Sequence, residues 1–232
     1  MQNKAVIMSA FSLFLFLGIS LPCIAQEKLP AVISALEGQI PSDAIVLFNG
    51  TNLSEWVAPD GGLLKKTISK GTFATDDGGF MTKREFGDMQ FHIEFATPSK
   101  VDGEGQGRGN SGVYLQGIYE IQVLDSYENE TYPDGQAGAV YEQYPPLVNV
   151  SRPPGTWQKY DIIFHAPKFN EGGKVVKKAT VTVLHNGVLI QDNVEIGPTP
   201  GGVRETESPK GPIYLQDHKN PVRFRNIWVR EL

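Results

Sequence analysis

The sequence predicts an all-β fold in which two antiparallel sheets pack face to face. Roughly ten to twelve short runs alternate apolar and polar residues, as strands with one buried face do. The chain also contains 25 glycines and 16 prolines, which supply the turns between such runs. Almost no stretch keeps a helical period and no internal repeat is visible, which favours a β-sandwich over helical or repeat architectures.

The N-terminal segment, residues 1–25, has the pattern of a secretory signal peptide. Lys4 gives it a positive start, Ala5–Leu21 is apolar, and Pro22–Ala25 resembles a cleavage site. We expect cleavage after Ala25 and export to the periplasm or the medium, without stable membrane insertion of the mature protein.

Two alternatives to a cleaved signal peptide remain open. The apolar run is nearly long enough to serve as an uncleaved membrane anchor. Cys23 is compatible with a lipoprotein signal, although Pro22 directly before it fits such a signal poorly. Cleavage after Ala25 would leave a mature protein without cysteine, and therefore without disulfide or thiol chemistry.

Beyond the signal peptide, residues 26–41 are expected to form a linker and residues 42–232 a single β-sandwich domain. The 232-residue chain has an ordinary apolar share, which is sufficient for one sizeable core. Its net charge of −5 argues against nucleic acid as a partner and against a polybasic contact with a membrane surface.

The first part of the domain contains the patterns of several short strands. Ile45–Phe48 is an apolar strand, and Trp56 after it is expected to anchor the core, with stacking on a sugar ring as the alternative. Thr72–Thr75 and Gly78–Thr82 are predicted to be strands on either side of a turn at residues 76–78.

The run Met89–Ala96 alternates without interruption and is predicted to be a strand. Its odd-numbered residues point inward, whereas His92 and Glu94 point outward. Two interpretations of this outer face are open. It is either an ordinary solvated strand face, or the strand lies beside the hairpin described next and adds His92 and Glu94 to its polar patch.

The stretch Asn110–Tyr127 is predicted to be a hairpin that carries the functional site. If Leu115 pairs with Tyr119, a three-residue turn separates the strands and their apolar faces coincide. In that register Tyr114 lies opposite Glu120. The outer face then presents a polar patch suited to a carbohydrate or similar polyol, comprising Gly112, Tyr114, Glu120 and Gln122.

Two long loops and further strand patterns complete the domain. Residues 99–109 and 128–143 are expected to be rim loops of the site, because long loops in compact domains are usually functional or disordered. The remaining strand patterns are Trp157–Ala166, a hairpin of Ala179–Leu184 and Val188–Ile190, and Val222–Leu232 with an irregularity after Phe224.

The first candidate for the chemistry is the segment Glu120-x-Gln122-x-x-Asp125. Strict alternation would bury Asp125, whereas a one-residue bulge after Val123 would return it to the face of Glu120. The spacing resembles the Glu-x-Asp-x-x-Glu strand of retaining jelly-roll glycosidases, but Gln122 replaces the middle acid, which argues against double displacement. The alternative is a polar strand face that ends in a turn.

The second candidate is the segment Gln216-Asp217-His218 together with Arg223 and Arg225. Histidine is the natural proton carrier near neutral pH, and arginine stabilises an oxyanion or a carboxylate. The alternative is a loop histidine capped by Asp217 beside a solvated strand edge. Two weaker candidates from the long loops are Glu142 and Arg152.

Acidic residues of the chain allow a divalent cation to bind through oxygen ligands. The candidate ligands are Glu94, Glu120, Asp125 and Glu142. No zinc signature, serine nucleophile elbow or dinucleotide fingerprint is present in the sequence. Spacing alone therefore leaves the presence and the identity of a metal open.

Five segments resemble, in order, the motifs of the 3-keto-disaccharide hydrolase family. They are LFNGTNLSEW, GNSGVYLQGIYEIQVLDSY, PPGTWQKYDIIFHAPKF, VTVLHNGVLI and GPIYLQDHKNPVRFRNIWVREL. The resemblance covers about residues 45–232. It implies a concanavalin A-like jelly-roll sandwich, export from the cell and a carbohydrate substrate.

The resemblance also implies a reaction that begins on an oxidised sugar. A separate oxidoreductase first converts the 3-hydroxyl of a sugar to a ketone, which acidifies the proton at C2. A base removes that proton, the glycosidic oxygen leaves C1 by elimination, and water then adds back. This chemistry needs a base, an acid and a donor or cation near the C3 oxygen, rather than two carboxylates at a fixed separation.

The candidate residues are then expected to divide into three groups. The base is Glu120 or His218, and Asp125 is the acid or a metal ligand. The predicted substrate-binding and oxyanion-stabilising residues are Tyr114, Gln122, Glu142, Arg152, Gln216 and Arg223.

The rival function is that of a non-catalytic, lectin-like carbohydrate-binding module, because a jelly-roll fold hosts both. A binding module would use exposed aromatic rings for stacking on sugars. The candidates for that role are Tyr114, Tyr127, Tyr132, Tyr141 and Tyr144. A structural partner of a larger surface complex is a third interpretation.

Overall fold

Two antiparallel sheets carry most of the strands of the molecule. The computed structural model describes residues 29–36, 38–64, 67–75 and 78–232. The larger sheet has seven strands, which are β1 (Ile45–Phe48), β3 (Phe73–Ala74), β5 (Met89–Ala96), β8 (Gln158–His165), β11 (Ala179–His185), β12 (Val188–Ile196) and β14 (Arg223–Glu231). Its main order is β1-β14-β5-β8-β11-β12, and β3 pairs with β14.

The smaller sheet contains the predicted hairpin. Its five strands, in spatial order, are β2 (Trp56–Val57), β4 (Phe80–Phe86), β13 (Gly211–Leu215), β6 (Ser111–Leu115) and β7 (Tyr119–Val123). Two short elements form a separate ribbon, β9 (Lys168–Phe169) and β10 (Val175–Lys177). The rim loops contain the 3₁₀ turns Gly105–Gly107 and Pro133–Gly135.

The inward faces of the two sheets meet in one continuous hydrophobic core. Tyr119 of the smaller sheet packs against Phe164 of the larger one, with ring centroids 5.6 Å apart. Trp56 is buried and its Nε1 donates to the carbonyl of Leu47 at 2.8 Å, so its predicted role as a core anchor is confirmed. The inward residues of β5 are fully buried, as alternation predicted, and are Met89, Phe91, Ile93 and Phe95. The prediction of an all-β sandwich is confirmed.

The hairpin of β6 and β7 has the predicted register. Leu115 pairs with Tyr119, and Tyr114 lies opposite Glu120. Gly117 in the turn has a φ of 70°, the left-handed conformation that glycine adopts without steric cost. Because side chains alternate along each strand, the polar patch faces away from the core.

The strand β5 does not lie beside this hairpin, so one interpretation of its outer face is wrong. It pairs with β14 and β8 in the larger sheet. His92 and Glu94 therefore lie on the opposite outer surface of the sandwich from Glu120. They are not freely solvated either, since His92 is buried and its Nδ1 lies 2.6 Å from Oδ1 of Asp161.

The two strands on either side of residues 76–78 belong to different sheets. The strand β3 pairs with β14, whereas β4 pairs with β2 and β13. The chain therefore crosses between the sheets here and does not close a hairpin. Residues 76 and 77 themselves lie outside the described residues.

The last strand has the irregularity that the sequence predicted after Phe224. Its register with β5 shifts between Arg225 and Trp228, and Asn226 has a φ of 47°. Asparagine tolerates this left-handed conformation better than most residues. The extra residue returns Ile227 to the core and turns Trp228 outward, as a β-bulge does.

The predicted signal peptide, its cleavage site and Cys23 fall in residues 1–28, which lie outside the described residues. The strands lie within a compact unit that spans Ile33–Leu232. Among the described residues, no helix has both the length and the apolar character needed to cross a membrane. Export therefore stays a prediction.

Candidate active site

A pocket of about 210 Å³ opens on the outer face of the smaller sheet, above the polar patch of the hairpin. We call it the Glu120 pocket. Its lining residues come from β6, β7, the end of β13 and two loops, and they are Asn110, Tyr114, Glu120, Gln122, Tyr141, Pro200, Gly201, Gln216 and His218. Carboxyl, phenol, amide and imidazole groups thus converge on one small cavity.

The position of Glu120 follows from strand alternation and from a small neighbour. Gly112 lies on β6, opposite Gln122 and next to the Tyr114–Glu120 pair. A Cβ atom on Gly112 would overlap the Oε1 atom of Glu120 and approach the Tyr114 ring to 2.9 Å. Glycine therefore provides the space in which the Glu120 carboxyl group lies against the sheet.

Tyr114 connects Glu120 to two other parts of the pocket. Its hydroxyl oxygen lies 2.7 Å from Oε2 of Glu120 and 2.8 Å from the carbonyl oxygen of Pro200. The side-chain amide of Gln216 donates to the same hydroxyl oxygen at 3.2 Å. A single phenol thus has three polar neighbours, but it holds only one proton to donate.

The carboxyl group of Glu120 is almost completely withdrawn from water, with 3% of the residue exposed. This burial raises the pKa of Glu120 to about 8, and the nearby charge of Glu142 adds to the increase, whereas the Tyr114 hydrogen bond opposes it. Burial and the neighbouring carboxylate also raise the pKa of Tyr114. Near neutral pH, Glu120 is therefore largely protonated.

His218 lies at the mouth of the same pocket and is exposed. Within the described part of the chain, its imidazole has no hydrogen-bond partner. Asp217 does not cap it, because the Asp217 carboxylate instead accepts from the backbone N–H groups of Gly78 and Lys219, both at 2.7 Å. His218 is thus held on an ordered loop with both ring nitrogens available to a ligand.

Amide groups form the opposite wall of the pocket. The Nε2 of Gln122 donates to Oε1 of Gln106 at 2.9 Å, and the Oε1 of Gln122 accepts from the backbone N–H of Val123. The Asn110 side chain donates to the backbone carbonyl of Gln106 at 2.7 Å. Gln106 belongs to the loop of residues 99–109, so this predicted rim loop does border the site.

Asp125 does not line the Glu120 pocket, so the position beside Glu120 that a bulge after Val123 would have given it is not observed. The strand β7 ends at Val123, and the backbone N–H of Asp125 donates to the carbonyl of Arg108 at 3.3 Å. The buried Asp125 carboxylate pairs with Nε of Arg108 at 2.7 Å. It lines a separate cavity of about 230 Å³ that also contains Arg108 and Asn220.

The two candidate arginines lie elsewhere as well. Arg223 begins β14 in the larger sheet and its guanidinium lies 5.2 Å from the ring of Trp157. Arg152 lines a cavity on the outer face of that sheet. Neither arginine therefore lines the Glu120 pocket with the other predicted substrate-binding residues. Glu142 is exposed and does not line the Glu120 pocket, although its charge acts on Glu120.

The four carboxylates considered as cation ligands are not brought together. Glu94 lies on the larger sheet, Asp125 is paired with Arg108, and only Glu142 acts on Glu120. Among the described residues, no group of three or more His, Cys, Asp or Glu side chains is placed to hold a metal ion. In the part of the chain that the structure describes, these four carboxylates therefore form no common cation site.

Several pocket residues carried no recognisable signal in the sequence. Asn110 directly precedes β6, and its polar side chain before a strand was the one available hint. Pro200 and Gly201 come from a long loop without periodicity, and only tertiary structure brings them to Tyr114. The sequence predicts for Tyr141 only a stacking role, and in the structure its hydroxyl group lies 2.6 Å from that of Tyr132.

Comparison with known proteins assigns a family to most of the chain. Residues 43–230 match the family described as the 3-keto-alpha-glucoside-1,2-lyase-like domain. A 3-keto-disaccharide hydrolase of Bacteroides thetaiotaomicron is 26% identical, over 84% of this chain and 81% of that protein.

Solved structures agree with this sandwich fold. A candidate glycosyl hydrolase from Parabacteroides distasonis is 44% identical, with a TM-score of 0.79 over 89% of this chain and 94% of that one. A second protein from that organism, named in the same way, is 18% identical with a TM-score of 0.59, over 82% of this chain and 94% of that one. The second likeness supports the fold alone.

Proposed function

We propose that the protein cleaves the glycosidic bond of 3-keto-glycosides in the Glu120 pocket. The premise is that the chain belongs to the family of 3-keto-alpha-glucoside-1,2-lyase-like domains. The family makes the chain a carbohydrate-active enzyme of the glycoside-hydrolase kind. The choice of an oxidised sugar, the order of steps and the roles of individual residues are our proposal.

In the proposed reaction, His218 takes the proton from C2 and the electrons of that C–H bond move to the C3 carbonyl oxygen. The enolate then collapses, the C1–O bond breaks, and Glu120 gives its proton to the leaving oxygen. Water adds across the resulting double bond, its hydroxyl to C1, while the proton on His218 returns to C2. The remaining water proton restores Glu120, so the sum is hydrolysis.

The observation that carries this assignment is the set of contacts around the Tyr114 hydroxyl. The carbonyl of Pro200 only accepts hydrogen bonds, so its 2.8 Å contact is a hydrogen bond only when Tyr114 donates its proton there. When Tyr114 donates there, its short contact with Glu120 is satisfied only if Glu120 is protonated and donates to the phenol oxygen. The hydroxyl oxygen then also accepts from Gln216, and each of the four groups has a partner.

Loss of the Glu120 proton is accommodated by rotation of one hydroxyl. Tyr114 then donates to the Glu120 carboxylate, a charge-assisted bond that is stronger than the bond to a neutral carbonyl. The same geometry thus accepts both protonation states, as a general acid requires. These contacts favour Glu120 as the general acid. The role of the base then falls to His218, which lines the same pocket.

Besides an acid and a base, the reaction needs hydrogen-bond donors that stabilise the developing enolate, and the amide groups of the pocket can supply them. Donors from Asn110, Gln122 and Gln216 border the pocket and are held by their neighbours. Preorganised donors of this kind stabilise negative charge that develops in the transition state. Asp125 has no part in the proposal, because Arg108 holds it in a separate cavity.

We also propose that the protein acts after export and that a separate oxidoreductase supplies the 3-keto-sugar. The reaction class requires such a supplier, since an unoxidised sugar has no acidic C2 proton. The N-terminal sequence pattern supports export.

The decisive experiment compares a 3-keto-disaccharide with the same disaccharide before oxidation, using the purified protein. We expect release of a monosaccharide from the keto form and a rate at least about a hundredfold lower from the parent sugar, because only the ketone acidifies C2. Equal rates on both sugars, or no turnover of the keto form, would reject the proposal. Binding of both sugars without turnover would favour the lectin-like alternative.

A further inference from the structure

A second polar cavity lies on the outer face of the larger sheet, on the side of the sandwich opposite the Glu120 pocket. Its volume is about 170 Å³. We call it the arginine cavity, and its lining residues are Glu94, Arg152, Trp157, Gln158, Lys159 and Arg225. Three of these six side chains are cationic and one is anionic, in a chain whose net charge is −5.

Arg225 is fixed in this cavity through one edge of its guanidinium group. Its Nε donates to Oε2 of Glu94 at 2.6 Å, and the group lies 4.1 Å from the centre of the Trp157 ring. Asn226 donates to the other oxygen of Glu94 at 2.8 Å. The two terminal nitrogens of Arg225 make no hydrogen bond to any described residue, so they are available to a ligand.

Glu94 cannot neutralise the whole cluster. The nearby His92, whose Nε2 lies 3.9 Å from Oε1 of Glu94, and the hydrogen bonds from Asn226 and Arg225 lower the pKa of Glu94 to about 2, so Glu94 carries one full negative charge. Both of its oxygens already have partners in the sheet. Lys159 is partly compensated by Asp161, whose carboxylate lies 3.7 Å away.

Arg152 and Arg223 add two cations without a carboxylate of their own. Arg152 donates to the carbonyl of Trp157 at 3.0 Å, and Arg223 lies against the Trp157 ring beside the cavity. Within the described part of the chain, neither guanidinium has an acidic side chain at ion-pair distance. Trp157 thus contacts both of these cations, Arg223 through its ring and Arg152 through its backbone carbonyl.

We infer that the arginine cavity is a second carbohydrate site, which takes a sulfate or carboxylate group carried by an oligosaccharide. Guanidinium groups with free, planar N–H donors match the oxygens of both anions and bind them in a bidentate manner. The cavity is smaller than a typical ligand pocket of about 300–1,000 Å³, so it suits one anionic substituent with the sugar ring at its mouth.

The choice of a glycan as the carrier of the anion rests on the proposed function, whereas the anion site rests on the arginines alone. The site lies across the core from the Glu120 pocket and shares no residue with it. A chain anchored here is therefore held by a surface that does not take part in bond cleavage. Such a second contact would raise the residence time of a charged polysaccharide on the enzyme.

The test is calorimetric titration with three oligosaccharides of equal length, one sulfated, one containing uronate and one neutral. We expect the wild-type protein to bind at least one anionic sugar, and to bind it more weakly as salt is raised. The double variant Arg152→Gln/Arg223→Gln should weaken that binding by at least about tenfold, because it removes the two unpaired cations. The matched control is Lys177→Gln, which removes a charge from the exposed ribbon strand β10.

Each outcome of this titration bears on the inference. Binding to the sulfated sugar alone, or to the uronate alone, identifies which anion the cavity takes. No anionic binding by the wild type, equal binding of the neutral sugar, or an unchanged affinity in the double variant would overturn it. Circular dichroism and the melting temperature confirm that the double variant is folded.

A second variant separates this site from the Glu120 pocket. Glu120→Gln should bind the anionic sugar as tightly as the wild type does, and loss of binding there would place the anion in the Glu120 pocket and overturn the inference. Turnover of the neutral 3-keto-disaccharide by the wild type is measured alongside. Its absence would reject the proposed function while leaving the anion result standing.

Discussion

The two outer faces of the sandwich each carry a glutamate on an alternating strand, yet the two carboxyl groups have opposite protonation behaviour. Glu120 on the smaller sheet has its pKa raised to about 8, mainly by burial. Glu94 on the larger sheet has its pKa lowered to about 2, first by the nearby His92 and further by its hydrogen bonds with Asn226 and Arg225. Glu120 can therefore donate a proton near neutral pH, whereas Glu94 is negatively charged there.

The difference comes from partners on neighbouring strands. The carboxyl group of Glu120 contacts the Tyr114 phenol and lies near the charge of Glu142, and neither supplies a positive charge. Glu94 has a cation and an amide bonded to its two oxygens. Alternation decides which side chains leave the core, but the adjacent strands decide what chemistry those side chains perform.

The largest expected effect is on turnover when the proton of Glu120 is removed. Glu120→Gln keeps the size of the side chain but cannot give a proton, so turnover of a 3-keto-disaccharide should fall by at least about a hundredfold. Steady-state release of monosaccharide measures it. The matched control is Glu195→Gln, an exposed glutamate on the edge strand β12, which should change the rate less than about twofold. An unchanged rate in Glu120→Gln would remove Glu120 from the mechanism.

The second prediction concerns the pH dependence of the wild-type enzyme. Because an acid must be protonated to act, the value of kcat/KM should fall as pH rises through about 8, the pKa of Glu120. A pH profile with the 3-keto-disaccharide measures this limb. A value of kcat/KM that stays constant between about pH 6 and 10 would contradict the role of protonated Glu120 as the acid. It would also remove the proposed difference in protonation between Glu120 and Glu94.

The third prediction is that the two glutamates change stability with pH in opposite directions. The folded-state pKa of Glu120 is above its usual value of 4.5, so the folded protein binds more protons than the unfolded chain between about pH 4.5 and 8. Its contribution to stability is fully present below that window and falls as pH rises through it. The Glu120→Gln variant should therefore gain stability over the wild type as pH rises, by at most about 1.4 kcal/mol per pH unit.

Glu94 should behave in the reverse sense. Its folded-state pKa of about 2 is below the usual 4.5, so its contribution is present above pH 4.5 and is lost as pH falls towards 2. Glu94→Gln should destabilise the fold by about 2 kcal/mol at neutral pH after allowance for solvent screening, and by less in acid. Urea titrations at several pH values measure the free energy of unfolding of both variants and of the wild type. If the difference from the wild type changed with pH in the same direction for both variants, the contrast between the two glutamates would be refuted.

Local pattern was enough to predict the centre of the site, because its register depends on residues close together in sequence. Alternation and a three-residue turn place Tyr114 opposite Glu120, and the bulge after Phe224 was likewise visible in the order of apolar residues. His218 and Gln216 were recognised from their residue types. The strand β13 brings them to the hairpin, since it pairs with β6.

The sequence predictions are wrong or missing where the position of a residue depends on a partner that is distant in sequence. The pairing of β5 with β14 and β8 determines which sheet carries Glu94, and nothing within Met89–Ala96 reveals those partners. Asp125 leaves the hairpin because Arg108 binds both its backbone N–H and its carboxylate. The contact of Pro200 with Tyr114 joins residues 86 positions apart, and a loop without periodicity gives no signal for it.

The smallest expected effect comes from Tyr114→Phe, which tests how the Glu120 proton is held. The variant removes a charge-assisted donor from ionised Glu120 and only a neutral acceptor from protonated Glu120, so the ionised form loses more and the pKa of Glu120 should rise. The alkaline limb of the rate profile should move to higher pH, while kcat falls by about tenfold or less, since Tyr114 positions the acid without donating the proton itself. A merely structural role of Tyr114 would lower the rate equally at every pH, and a limb that moves to lower pH would contradict the proton arrangement between Glu120, Tyr114 and Pro200.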